Sequence, residues 1–132
     1  MRDPNDPCIF CNIKEGGLAD ENLLAYACYD NYPVSNLHCL IIPKRHVKDY
    51  FELSNDEVIA CNELLKKIKG KILLKDPLVK GFNVGTNSGA IAGQSILHCH
   101  IHLIPRRKGD VKNPQGGVRS VIPLKQHYKR KA

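Results

Sequence analysis

Long apolar segments are missing from this chain of 132 residues. A transmembrane helix needs about 20 consecutive apolar residues, and no run in the sequence approaches that length. The opening stretch, M-R-D-P-N-D-P, also lacks the apolar core of a secretory signal peptide. We therefore expect a cytoplasmic protein that does not have a membrane as a partner.

Internal repeats and low-complexity segments are also missing, which argues against a repeat protein. Apolar residues make up 42% and charged residues 25% of the chain, as in an ordinary soluble domain. The net charge is +7, but lysine and arginine are scattered or gathered at the end of the chain, so we do not expect a nucleic-acid partner. An anionic small substrate is the more economical use of this charge.

Six cysteines could in principle form three disulfides in a secreted mini-domain, but nothing else in the sequence indicates secretion. Four of them lie among apolar neighbours, and we predict that these are small core residues: Cys28, Cys39, Cys61 and Cys99. The other two, Cys8 and Cys11, have the spacing C-x-x-C. Taken alone, this pair is either a redox motif or half of a zinc site.

The order of elements lacks the alternation of strands and helices that a parallel sheet requires. Strands are predicted over residues 23–29, 38–42 and 81–86. One amphipathic helix begins at the capping box of Ser54 and Glu57 and continues to about Ile72. This order predicts an α+β domain with an antiparallel sheet. A small domain whose sheet is covered on one side only would gain stability by pairing with a second copy.

Three histidines, His98, His100 and His102, occupy every second position of the run L-H-C-H-I-H-L-I-P. Because successive residues of a strand point to opposite faces, we predict that a single strand presents all three imidazoles on one face, roughly 7 Å apart. Such a row suits two chemistries. The imidazoles could bind a catalytic metal, or the middle one could attack phosphorus while protonated neighbours neutralise the phosphoryl oxygens. The spacing alone does not choose between them.

A glycine-rich loop, G-T-N-S-G-A-I-A-G-Q-S, leads into the histidines. It is not a Walker A motif, because no G-K-[ST] follows. Its position directly before the histidines, with Gln94 and Ser95 as hydrogen-bond donors, predicts that it holds a phosphate.

The segments H-C-H-I-H-L-I, G-Q-S before it, P-R-R after it and L-H-C-L-I-I-P-K-R-H upstream resemble the histidine triad superfamily. The resemblance extends from Cys8 to about Pro123. It implies a five-stranded antiparallel sheet with one main helix and a short one, and a homodimer in which two sheets join into one. The family fold would occupy residues 1–132 as a single domain, with an extended tail over about 119–132.

The resemblance also implies an enzyme that cleaves nucleotides at the α-phosphate. Its substrates would be purine nucleotides, as nucleoside phosphoramidates or dinucleoside polyphosphates of the AMP or GMP type. His100 would be the nucleophile and form a nucleotidyl-histidine intermediate, whereas His102, Ser95 and Gln94 would contact the phosphate and the leaving group. The nucleotide-binding residues implied on the nucleoside side are Asp30 for the ribose, Asn83 for the ribose or phosphate, and Ile9, Phe10 and Ile13 for the base.

Bacterial members of the superfamily that begin with C-I-F-C bind structural zinc through two cysteines and two histidines. The matching residues here are Cys8, Cys11, His46 and His98, so the resemblance implies zinc as a structural cofactor. His38 belongs to the segment L-H-C-L-I-I-P-K-R-H, and the resemblance implies a position near the nucleotide side. We interpret it as a buried structural histidine.

Two further functions stay open from the sequence. One is a metal-dependent hydrolase that uses the histidine row as ligands, and the other is a zinc-stabilised adaptor that binds nucleotides with little turnover. The branch of the superfamily also stays open. The segments C-I-F-C and I-P-K-R-H resemble the Hint-like phosphoramidases, whereas H-L-I-P-R-R-K-G-D resembles the Fhit-like dinucleoside polyphosphate hydrolases.

Overall fold

The structure is a computed structural model, and it describes residues 8–13 and 17–130. Five antiparallel strands form one sheet in the order β1-β2-β3-β5-β4. The strands and the main helix are β1 (Asp20–Glu21), β2 (Ala25–Tyr29), β3 (Cys39–Pro43), α1 (Asn55–Lys75), β4 (Val79–Gly85) and β5 (Ile101–Arg107). Short 3₁₀ helices cover Tyr50–Glu52, Ala90–Ala92 and Gly117–Val121. The predicted α+β fold with a five-stranded antiparallel sheet and one main helix is confirmed.

Helix α1 begins where the capping box predicts. The Ser54 side chain accepts a hydrogen bond from the Glu57 backbone N–H, and the Glu57 carboxylate accepts one from the Ser54 N–H. The buried Glu57 carboxylate also binds Arg45 through two hydrogen bonds of 2.7 and 3.1 Å. These bonds tie the start of the helix to the segment that follows β3.

The two faces of the sheet bury different sets of side chains, because neighbouring residues alternate between them. One face packs against α1 and contains Ala25, Ala27, Cys39, Ile41, Ile101 and Leu103. The opposite face contains Tyr26, Cys28, Leu40 and Ile42, and the N-terminal residue Phe10 covers it. The four cysteines predicted to be core residues are all buried. The histidines lie on the face without the helix.

Two expectations about local structure need correction. Strand β5 begins at Ile101, so His98 and His100 precede it and only His102 lies within it. The reason is that the Cys99 backbone N–H donates to the Val47 carbonyl at 2.8 Å and not to a neighbouring strand. The tail is not simply extended either, since Gly117–Val121 form a 3₁₀ helix after Gly116, whose φ is 78°.

Hydropathy and helix length give no candidate for a bilayer-spanning helix among residues 8–13 and 17–130.

Candidate active site and metal centre

The four residues predicted to bind zinc lie together at the end of the sheet. The Cys8 Sγ is 3.4 Å from the His98 Nδ1, and the Cys11 Sγ is 3.1 Å from the His46 Nδ1 and 3.5 Å from the His98 Nδ1. The two Nδ1 atoms are 3.2 Å apart. All four ligand atoms lie within 4.8 Å of one another, so this cluster can hold a metal ion.

These separations fit a tetrahedral zinc ion. Zn–S bonds of about 2.3 Å and Zn–N bonds of about 2.0–2.1 Å place sulfur and nitrogen about 3.5 Å apart and two nitrogens about 3.3 Å apart. The His98 Nε2–H donates to the Pro43 carbonyl at 2.8 Å, which leaves the Nδ1 lone pair for the metal. Such a hydrogen bond from the outer ring nitrogen is what metal-binding histidines commonly have. Two cysteines and two histidines could complete such a tetrahedron, and this ligand set is typical of structural zinc sites.

The buried imidazole of His100 is oriented by backbone contacts. Its Nδ1 is 2.9 Å from the His98 carbonyl oxygen, so the Nδ1–H donates and the Nε2 keeps its lone pair. The His100 carbonyl in turn accepts a hydrogen bond of 2.7 Å from the Thr86 hydroxyl. The Phe10 ring lies edge-on at 5.0 Å between centroids. His100 therefore has a fixed ring with a free nucleophilic nitrogen.

His102 lies 5.4 Å from His100 between ring centroids and contacts a second imidazole, that of His38. Its Nδ1 is 2.9 Å from the His38 Nε2, and this Nε2 is 3.6 Å from the Asp30 carboxylate. Burial, followed by the neighbouring His100 and His38, lowers the pKa of His102 below its ordinary value. Burial also lowers the pKa of His38. The lowered pKa values favour the neutral form of both imidazoles near pH 7. His102 is thus a neutral neighbour of His100, whereas the sequence allowed a protonated one.

Asp30, His38 and His102 also form a group whose ligand atoms lie within 4.8 Å of one another. The distance of 2.9 Å between the two ring nitrogens is that of an ordinary hydrogen bond. It is shorter than the roughly 3.3 Å that separates two nitrogens on one zinc ion. The contact between the two histidines is therefore a hydrogen bond.

The glycine-rich loop is held in place by Gln94. This buried amide accepts from the Gly89 N–H at 2.8 Å and donates to the Lys48 and Ile96 carbonyls at 2.6 and 3.0 Å. Both N–H groups of the amide are thus used inside the protein, which assigns Gln94 to shaping the loop. Ser95, the next residue, is exposed at the surface of the loop.

The residues expected to bind the nucleoside surround the same face of the sheet. Phe10 is buried, and its carbonyl accepts a hydrogen bond of 2.6 Å from the Tyr26 hydroxyl. Ile13 packs partly buried against the same cluster, whereas the side chain of Ile9 is 59% exposed. Asp30 lies at the end of β2, and one of its oxygens accepts from the Tyr32 N–H at 2.8 Å.

A groove of about 530 Å³ extends from His102 along β4 and β5. Asn83 lies in this groove, where its side-chain oxygen accepts a hydrogen bond of 2.7 Å from Arg106. Asp110 also binds the Arg106 guanidinium through two hydrogen bonds of 2.8 and 2.9 Å. Residues of the tail, Val118 and Val121 among them, form the other wall. The groove leaves room for a substituent next to His102.

Sequence reasoning missed Arg106 and the contact of His38. Arg106 could have been predicted as a site residue, because it continues the alternation of His98, His100 and His102 along the chain. The His38 contact had no signal in the sequence, since 64 residues separate it from His102.

Comparisons with known proteins agree with this architecture. A family model described as the HIT domain matches residues 18–109. An adenosine 5'-monophosphoramidase of Candida albicans is 34% identical over 107 residues, which cover 76% of this chain and 70% of the relative.

Two solved structures share both fold and sequence with the chain. A HIT family protein from Bacillus anthracis has a TM-score of 0.72 at 35% identity, covering 79% of this chain and 76% of that one. A Zn-bound histidine triad family protein from Mycobacterium smegmatis has a TM-score of 0.71 at 29% identity, covering 79% and 78%. Since the family model matches more than half of the sequence, and since the fold is shared with the HIT family protein from Bacillus anthracis, this chain belongs to the HIT family.

Proposed function

We propose that the protein is a nucleotide hydrolase that cleaves nucleoside phosphoramidates or dinucleoside polyphosphates at the α-phosphate, with His100 as nucleophile. The observation that carries this proposal is the Nδ1 contact of His100 with the His98 carbonyl at 2.9 Å. It leaves the Nε2 lone pair available on a buried, immobilised ring. A relative that is named an adenosine 5'-monophosphoramidase supports a nucleotide substrate.

The reaction proceeds in two displacements. In the first, the His100 Nε2 forms a bond to the α-phosphorus, and the bond from phosphorus to the leaving group breaks. An amine leaving group takes a proton from water, whereas a polyphosphate leaves as an anion. In the second, the hydroxide that the amine's protonation leaves behind attacks phosphorus and breaks its bond to Nε2. For a polyphosphate, water attacks in its place and releases one proton to solvent. Products are the nucleoside monophosphate, the released leaving group and free His100.

His102 assists both displacements by donating a hydrogen bond to the phosphoryl oxygens from the ring nitrogen that His38 does not contact. Ser95, which is exposed at the end of the glycine-rich loop, would donate to the same phosphate or to the leaving group. The groove that begins at His102 would receive the leaving group. Asn83 lies in that groove and would contact the phosphate side of the substrate.

The nucleoside would lie on the other side of His100. Phe10 and Ile13 supply an apolar surface for a purine base, and the exposed Ile9 would cover its edge. The Asp30 carboxylate at the end of β2 would accept hydrogen bonds from the ribose hydroxyls.

We also propose that the ion held by Cys8, Cys11, His46 and His98 is zinc and that its role is structural. The donor set and its spacing fit zinc, which would tie the N-terminal segment with Phe10 to the chain just before His100. When bound, zinc would supply conformational stability to this corner of the active site.

A metal-dependent hydrolase built on the histidine row is disfavoured by the hydrogen bonds of the rings. His98 turns its Nε2–H to the Pro43 carbonyl, and His100 turns its Nδ1–H to the His98 carbonyl. In the described part of the chain, the three triad imidazoles do not form a common metal-ligating group.

A homodimer is the assembly that we propose. Strand β4 lies at an edge of the sheet and can pair with the same strand of a second copy. A groove of about 680 Å³ between α1 and β4, lined in part by Leu65, Leu73 and Val84, gives this edge an apolar border. Analytical ultracentrifugation tests this assembly, since a monomer would contradict it.

The function is tested by steady-state hydrolysis of adenosine phosphoramidate and of diadenosine tetraphosphate. We expect wild type to cleave one of them and His100→Ala to lose at least roughly 10³-fold in kcat. His127→Ala, which changes an exposed histidine of the tail, serves as the matched control and should behave as wild type. If wild type binds nucleotide but cleaves neither substrate, the adaptor function is correct and ours is wrong.

A further inference from the structure

His38 lies on the active-site face, but neither the proposed reaction nor the metal cluster uses it directly. It is buried at 2% exposure, and it lies at the start of β3, next to the strand that carries His102. Its two ring nitrogens contact different partners. The Val34 backbone N–H points at the Nδ1 at 3.1 Å, and the His102 Nδ1 lies 2.9 Å from the Nε2.

The Val34 contact determines which nitrogen of His38 carries the proton. A backbone N–H is always a donor, so the His38 Nδ1 must be the acceptor. A neutral imidazole carries one proton, which therefore lies on the His38 Nε2. That proton points towards the His102 Nδ1. The Asp30 carboxylate lies 3.6 Å from the same His38 Nε2, on the side of the ring that carries the N–H.

The His38 Nε2–H determines in turn which nitrogen of His102 carries the proton. Because His38 donates, the His102 Nδ1 must accept, and the single proton of neutral His102 must lie on its Nε2. This nitrogen is the one that remains for a substrate. Burial lowers the pKa of both imidazoles, which agrees with neutral rings.

We propose that His38 is a positioning residue that holds His102 in the Nε2-protonated form, so that His102 donates to the phosphoryl oxygens as a neutral imidazole. The first link is the backbone N–H of Val34, which every residue except proline would also provide. This inference rests on the proposed hydrolase function for the use of the His102 proton. The tautomers themselves do not depend on that function.

Two amide variants of His38 separate a positioning role from a structural one. In His38→Gln, the Nε2 of the amide can replace the imidazole Nε2–H and donate to His102. In His38→Asn, the shorter amide can still accept from the Val34 N–H through its oxygen but does not reach His102. Both variants replace a buried ring by an amide, so they are matched in polarity. Thermal unfolding shows whether each variant folds.

The first readout is nitrogen-15 NMR of the imidazoles at about pH 8, where histidines are neutral. We expect a single Nε2-protonated form of His102 in wild type and in His38→Gln, and a mixture of tautomers in His38→Asn. The second readout is kcat on the cleaved nucleotide. Removing an orienting hydrogen bond typically costs ten-fold or more, so His38→Asn should lose roughly ten-fold relative to His38→Gln.

A wild-type His102 that is protonated on Nδ1, or equal tautomers and equal kcat in the two amide variants, would overturn the proposal. If wild type shows the Nε2 proton but no hydrolysis, the positioning by His38 stands and the proposed function fails. If wild type hydrolyses nucleotides while His102 is a mixture of tautomers, the function stands and the positioning fails.

Discussion

Metal binding offers a quantitative test of the cluster of Cys8, Cys11, His46 and His98. The perturbation is His46→Ala, which removes one of the four ligands at an exposed position. In wild type, zinc that binds the folded state alone stabilises it by RT ln(1 + [Zn]/Kd). At a free zinc concentration of about 1,000 Kd this amounts to about 4 kcal/mol.

The corresponding change in melting temperature follows from the length of the chain. With an unfolding entropy of about 2.1 cal/mol/K per residue, 132 residues give about 0.28 kcal/mol/K. A stabilisation of about 4 kcal/mol therefore raises Tm by about 15 °C. Three remaining ligands bind far more weakly, so at the same zinc concentration His46→Ala should gain less than about 3 °C.

The assay is thermal unfolding by circular dichroism, with protein stripped by a chelator and then titrated with buffered zinc. His127→Ala is the control, because it removes an exposed histidine far from the cluster in sequence. Equal zinc-dependent shifts in wild type and His46→Ala would refute the reasoning. A wild-type Tm that does not respond to zinc would refute it as well.

Three further predictions follow from other parts of the structure. Phe10→Ala should lower the free energy of unfolding by about 3–5 kcal/mol, because it empties a buried aromatic position; a urea titration that shows less than about 1 kcal/mol would contradict this. Gly116→Ala should raise the rate of hydrogen exchange in the tail, since φ is 78° at Gly116 and an added Cβ would clash with a backbone carbonyl. Gly117→Ala is the control, because a Cβ at that position meets open space. Equal exchange rates in both variants would contradict this. In the presence of chelator, the urea midpoint should fall as pH drops below the ordinary histidine pKa of 6.5. The reason is that the pKa values of His38 and His102 are lowered in the folded state, so the unfolded state binds more protons. A constant midpoint between about pH 7.5 and 5.5 would contradict this.

Local spacing explains why the start of the helix could be predicted from the sequence. The capping box of Ser54 and Glu57 is a contact over three residues, and the structure contains it. The resemblance named Cys8, Cys11, His46 and His98 as a set, and the structure brings these four residues together in a cluster that can hold a metal ion. The alternation of the triad predicted a shared face, which is correct, but it also predicted one continuous strand. A single backbone hydrogen bond from Cys99 to Val47 precedes the strand, which therefore begins only at Ile101.

The parts that could not be predicted depend on contacts between distant segments. Gln94 has the sequence position of a phosphate ligand, yet its amide is used by the Lys48 and Ile96 carbonyls. His38 has no motif partner near it, and its role depends on its distance from His102 across two strands. Burial also lowers the pKa of both imidazoles, and composition carries no information on burial at a given site.

The central claim is that His100 forms a covalent bond to the nucleotide, and trapping that intermediate tests it most directly. Wild type and His100→Ala would be mixed with adenosine phosphoramidate, quenched within milliseconds under denaturing alkaline conditions, which preserve a phosphorus–nitrogen bond, and analysed by intact mass and peptide mapping. We predict a wild-type population that carries one adenylyl group on the peptide containing His100, and no such population in His100→Ala. Adenylate on another residue, or turnover by wild type with no covalent species and unchanged turnover in His100→Ala, would contradict the account.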